Sequence, residues 1–134
     1  MIVAVVTGSR NAPHLETWQA FRRVFESLRP VIVIDGGCRG ADESASDAAR
    51  LMRIPTMRVP ALWEEQGRKA GPMRNRRMIR FAEDIAGEIG AEVVLVAAPG
   101  GRGTADCIRA AESRLLRIVQ TTEEKSVGQG EGER

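Results

Sequence analysis

The sequence predicts an α/β protein with a Rossmann-like fold: a doubly wound parallel sheet of about five strands with helices on both faces. Two observations carry this. Short apolar runs recur without polar alternation, as strands buried on both faces do, and stretches of helical period separate them. The unusual residues also cluster. Glycine-rich and charged loops follow the strands on one side, while the returning connections "LRP", "RIP" and "IGAE" are ordinary. Ligands of doubly wound sheets bind beyond the carboxyl ends of the strands.

Each element has its own justification. Residues 2–6, "IVAVV", read as the first buried strand. A helix follows over 14–28, with Leu15, Trp18, Phe21, Phe25 and Leu28 on one face, and Pro30 ends it. "VIVI", 31–34, is the second strand. Residues 42–53 form a small-residue helix with Asp42 placed to cap it, and 56–59 a short third strand. A loop over 60–71 leads to a helix over 73–90, with Pro72 at its start and Met78, Phe81, Ile85 and Ile89 inward. The fourth strand is 93–97, the next helix 104–116 and the fifth strand 117–120.

Length and composition fit one domain. The 134 residues are 43% apolar, enough for one core, but only 4% aromatic, so that core is aliphatic and small-residue. The net charge of +2 implies no nucleic-acid partner by itself. The last twelve residues hold four acids, two bases and three glycines. We expect a domain over 1–121 and a disordered polar tail over 122–134. The two cysteines, Cys38 and Cys107, form no CxxC and no cluster with histidine, which argues against a structural zinc site or a disulfide scaffold. "IVAVV" is too short for a signal peptide or a membrane span, so a cytoplasmic protein with reduced thiols is expected. No residue pattern calls for a metal or a cofactor.

The loop "APGGRGTADC" is the most informative stretch. Gly100, Gly101 and Gly103 let backbone approach a ligand, and the amides opening the next helix favour an anion. Arg102 and the Thr104 hydroxyl add donors, so a phosphate is the natural guest. A second glycine-rich turn, "DGGCRGAD", and the first loop, "TGSR", should complete the pocket through Gly36, Gly37, Arg39, Gly40 and Asp42, and through Gly8, Ser9 and Arg10. No GxxxxGK[ST] is present, and no GxGxxG joins a strand to a helix, so the Walker-type and standard dinucleotide sites are excluded. Arg74 stands in a first helical turn, where a cation opposes the helix dipole unless an anion is nearby.

Four motifs in order, "GSR", "GGCRGAD", "ALWEEQGRKAGPMRNRRM" and "PGGRGT", resemble the SLOG superfamily, and within it the small single-domain YspA-like proteins of bacteria and their phages. The resemblance spans about residues 3 to 120. The superfamily includes the LONELY GUY phosphoribohydrolases, which split a nucleoside 5′-monophosphate into base and ribose 5-phosphate, the single-stranded-DNA-binding DprA, and domains that sense NAD-derived signals. The resemblance implies a nucleotide or nucleotide-derived ligand, with DprA-like nucleic-acid binding or non-catalytic sensing as alternatives, and a homodimer or higher assembly. For an enzyme it implies N-glycosidic cleavage, with Arg74 and Asp106 in the active roles and Asn75 and Lys69 at the ligand. The phosphoribohydrolase pattern places its catalytic Glu where this chain has Cys107. Asp106 is adjacent but turned about 100° around the helix, so it need not face the site.

Other residues stay open on sequence alone. Asp42 either caps its helix or hydrogen-bonds a ribose or base. Trp63 stacks on a base or packs under its loop. Lys69 closes over a phosphate or stays solvated, and His14 reads as a surface residue without a partner.

Overall fold

A computed structural model describes residues 1–122. The tail expected over 122–134 lies, from residue 123 on, outside the described residues. The strands are β1 (Ile2–Thr7), β2 (Ile32–Asp35), β3 (Thr56–Arg58), β4 (Glu92–Ala97) and β5 (Arg117–Gln120). The helices are α1 (His14–Leu28), α2 (Ala41–Leu51), α3 (Trp63–Gln66), α4 (Ala70–Ile89) and α5 (Arg102–Ser113), with a 3-10 turn at Gly67–Lys69 before α4.

All strand pairs are parallel, in the order β3-β2-β1-β4-β5. The expected doubly wound Rossmann-like sheet is what forms. Chain order reverses between β1 and β4, and that is where such a fold opens a crevice. The register pairs Val3 with Ile32 and Val93, and Val5 with Ile34 and Leu95.

Strand side chains alternate between two cores. Ala4 and Val6 of β1 join Phe21, Val24 and Phe25 of α1 and the alanines of α2. Val3 and Val5 face the other way, against Met78, Ile79, Ala82 and Ala86 of α4 and Ala110 and Ala111 of α5. The alanine faces of α2, α4 and α5 let helices and sheet approach closely, which suits a chain so poor in aromatics.

Several boundaries differ from the expected ones. The segment 60–71, expected as a loop, holds α3 and the 3-10 turn, and α4 begins at Ala70. Pro72 therefore lies inside the first turn of α4, where its missing N–H leaves no bond unmade. The helix expected over 104–116 begins at Arg102, and the one expected over 42–53 spans Ala41–Leu51.

Inward faces shift too. Phe81 and Ile89 are exposed, and Ile79, Ala82 and Ala86 point inward in their place. Leu15, expected in the core, is 64% exposed; the buried positions of α1 begin at Thr17. His14 is not partnerless: its Nδ1 shares a 3.1 Å hydrogen bond with Ser44 Oγ, and its Nε2 lies 3.7 Å from Asp47. Among the described residues, no helix is long and apolar enough to cross a membrane.

Candidate functional site

A cavity of about 550 Å³ opens at the carboxyl ends of β1 and β4, the point where strand order reverses. Its walls come from the β1–α1 loop, the starts of α2, α4 and α5, and α3.

The start of α5 is built to leave donors free. Gly101 is its N-cap and carries no side-chain oxygen, so no side chain caps the helix. Ala105 is the first residue to donate back, to Gly101 O at 3.0 Å. No described residue accepts from the amides of Arg102, Gly103 and Thr104. These open onto the cavity with Arg102 beside them, so donors and helix dipole act together on whatever sits there.

Gly100 is not in the wall but behind it. A side chain at Gly100 would fall on the Thr104 hydroxyl, so the glycine lets the loop fold tightly against the first turn of α5. Gly8, Ser9 and Arg10 do line the cavity, and the loop carrying them is fixed by its main chain. Ser9 N donates to Pro99 O at 3.0 Å, and Ser9 O accepts from Ala41 N at 2.9 Å, tying the first loop to both glycine-rich turns. Gly40, with φ of 72°, allows that approach, since a Cβ there would strike Ser9 O and Arg10.

Asp42 lines the cavity but is not the expected cap of its helix: the cap is Gly40, and Asp42 sits inside the first turn. Its Oδ2 accepts from the amides of Gly36 and Cys38, each at 3.1 Å, and so shapes the glycine-rich turn. Burial pushes the Asp42 carboxyl up to about 6. The Cys38 amide opposes the rise, Asp35 adds to it, and Arg74 and the Gly36 amide oppose it. Asp35 is itself buried and accepts from Arg58 Nε at 2.9 Å and from Gly37 N at 2.8 Å.

Arg74 is buried despite its charge and lines the cavity floor. It donates to Gly36 O at 2.6 Å and to Asn75 Oδ1 at 3.1 Å, and it reaches Cys38 Sγ at 3.6 Å. No described carboxylate forms an ion pair with it. A charged guanidinium held mainly by neutral acceptors keeps its attraction for an anion.

Asp106, whose turn around α5 left its direction open on sequence, does line the cavity. Asn75 Nδ2 donates to Asp106 Oδ2 at 3.0 Å and to Gly103 O at 3.3 Å, tying α4 to α5. Cys107, which the resemblance sets at the phosphoribohydrolase Glu, is fully buried and outside the lining. Burial pushes its thiol up to about 11, against the opposing pull of the Thr7 hydroxyl and Arg74. Trp63 opens α3 instead of lying in a loop, is 52% exposed, and lines the mouth, 3.5 Å from where a Gly71 Cβ would stand.

Not every expected residue arrives. Gly36, Gly37, Arg39, Gly40, Gly100 and Lys69 are outside the lining. The glycines act from behind it. Arg39 and Lys69 are exposed. Conversely, Asn11, Cys38 and Arg109 line the cavity without having been singled out. Arg109 had a signal, since Arg102, Asp106 and Arg109 follow i, i+4, i+7 and share one helix face.

No protein-family model matches the chain. It is 36% identical over 124 residues to the Gene 61 protein of Mycobacterium phage D29, covering 86% of this chain and 92% of that protein. Among solved structures, TM1055 matches with a TM-score of 0.62 at 18% identity, over 88% of this chain and 72% of that one. DNA processing protein A (DprA) from Streptococcus pneumoniae matches with a TM-score of 0.51 at 18% identity, over 92% of this chain and 60% of that one. Both likenesses are of the fold. The chain belongs to the family of the phage D29 Gene 61 protein.

Proposed function

We propose that the protein binds a nucleotide or nucleotide-derived ligand by its phosphate, and that the cavity is arranged around the base–ribose bond of a nucleoside 5′-monophosphate. The observation that carries this is the start of α5: three amides without an acceptor among the described residues, opening onto an arginine-lined cavity. The phosphate takes those amides and the Thr104 hydroxyl, with Arg102 beside it. Arg10 closes over it from the β1–α1 loop. Arg74 offers its cation to the phosphate or to the departing base. Asp106, oriented by Asn75, stabilises the positive charge that grows on the ribose as the bond breaks. Trp63 supplies a stacking face at the mouth. A homodimer or higher assembly belongs to the same reading, and its mass in solution tests it.

A thermal-shift screen against nucleoside mono- and diphosphates, ADP-ribose, NAD and a short single-stranded DNA tests the binding, with each mixture assayed for freed base. A ligand at about 100 times its dissociation constant should stabilise the fold by roughly 2.7 kcal/mol. Gly101→Asp is the matching variant. Nothing lies within 4 Å of a Cβ at Gly101, and Asp is a favourable N-cap, so the fold should hold. Its carboxylate occupies the phosphate seat and should abolish the nucleotide shift. An unchanged shift in the folded variant overturns the reading.

The exposed Trp63 favours a second reading, single-stranded nucleic acid stacked at the cavity mouth. A shift with DNA alone, falling steeply with added salt, would select it.

A further inference from the structure

We infer that Asp42 is the general base of this site, accepting a proton from the water that attacks C1′ of a bound nucleotide. The inference rests on the reading that the cavity holds a nucleotide's base–ribose bond.

The position that carries the acid in the phosphoribohydrolase pattern cannot supply one here. Cys107 is fully buried, lies outside the lining, and keeps its proton at neutral pH. A neutral thiol neither takes a proton from water nor stabilises a cation.

Asp42 lines the cavity from the first turn of α2. It is only 6% exposed, and its two oxygens are used differently. Oδ2 is committed to the amides of Gly36 and Cys38. Oδ1 accepts from no described residue, yet it is not among the described buried atoms left without a partner, so it meets the open space of the cavity. The side chain is not spent on capping, because Gly40 holds that position.

The step balances with water alone. The water oxygen bonds to C1′ as the C1′–N bond breaks, and that bond's electron pair passes to the base nitrogen. One water proton moves to Asp42 Oδ1 and from there to the base nitrogen. The products are ribose 5-phosphate and the free base, with Asp42 again a carboxylate. The proton acceptor must be ionised, so turnover should rise with pH through about 6 and then level. The groups facing Asp42 are Asp35 from the end of β2, Arg74 from α4, Cys107 from α5, and Cys38 in its own turn. Arg58 offsets the charge of Asp35, and the thiol of Cys107 stays neutral across this range.

The test compares wild-type protein with Asp42→Asn, measuring nucleoside 5′-monophosphate binding and release of free base separately between pH 5 and 8. The amide oxygen of Asn can still accept from Gly36 and Cys38, so binding should stay within a few-fold and report an intact fold. Base release should fall by about 10² to 10⁴, and the rise near pH 6 should be present in wild type alone. If Asp42→Asn releases base as fast as wild type, Asp42 is not the base and the nucleotide reading stands. If wild type binds the nucleotide and releases no base at any pH, the inference falls with the reaction, while phosphate binding stands. A wild-type rate without a rise near pH 6 also overturns it.

Discussion

At the scale of single residues, the site depends on small groups holding charged ones. Gly36 lines nothing, yet a Cβ there would fall on the guanidinium of Arg74. Gly36→Ala should therefore push Arg74 from its seat and weaken nucleotide binding roughly tenfold or more, the scale of a lost hydrogen bond to a charged group. Isothermal titration of variant and wild type checks this. Asp42 gives a stability prediction of definite sign. The folded carboxyl keeps its proton to about pH 6, while the ordinary value is 3.8. The folded chain thus binds more protons in between, and stability falls as pH rises through that window. The cost is absent below about 3.8, complete above about 6, and on the order of 3 kcal/mol. In urea titrations without ligand, Asp42→Asn should gain on wild type as pH is raised from 4 to 7. The sequence marked Asp42, Arg74 and Thr104 as site residues because each stands beside a glycine-rich turn or in a first helical turn. It could not show that Asp42 leaves its own helix uncapped, because the choice between cap and turn is made by the path of residues 36–40 in space.

At the scale of elements, helical period located the main helices and much of their inward stripes: Phe21, Phe25 and Met78 are buried as expected, while Leu15, Phe81 and Ile89 are exposed. Leu15 and Phe25 fall on one face of α1 by spacing, yet Leu15 is 64% exposed and Phe25 is fully buried. Leu15→Ala should change stability by no more than about 0.5 kcal/mol, and Phe25→Ala should cost about 3–5 kcal/mol. Chemical denaturation separates the two. Leu95, central on β4 and fully buried, belongs with Phe25. On α4 the rotation has a cause the sequence half displays. Ala82 and Ala86 lie against the sheet because small residues allow close approach, leaving Phe81 and Ile89 outside. A reading that ranks residues by hydrophobicity alone places Met78 correctly and misplaces Phe81 and Ile89. Residues 60–71 read as a loop because their glycines and Pro72 are helix breakers in most settings. Here they fall at helix ends and in a first turn, where those properties do no harm.

At the scale of the whole molecule, the position of the site was legible before its details. Apolar runs without alternation implied a parallel sheet, and glycine-rich loops after successive strands implied that one edge of it carries the chemistry. The order β3-β2-β1-β4-β5 then sets the loops after β1 and β4 side by side. No sequence pattern shows that adjacency directly, because strand order comes from how the crossovers pack. It also explains why Arg109, two turns along α5, reaches the cavity. The central claim is that a nucleotide phosphate sits on the first turn of α5. An amide chemical-shift titration of isotope-labelled protein with a nucleoside 5′-monophosphate tests it most directly. The largest saturable shifts should fall on Arg102, Gly103 and Thr104, with smaller ones at Ser9 and Arg10. Saturable shifts that leave residues 101–104 unmoved would contradict the account.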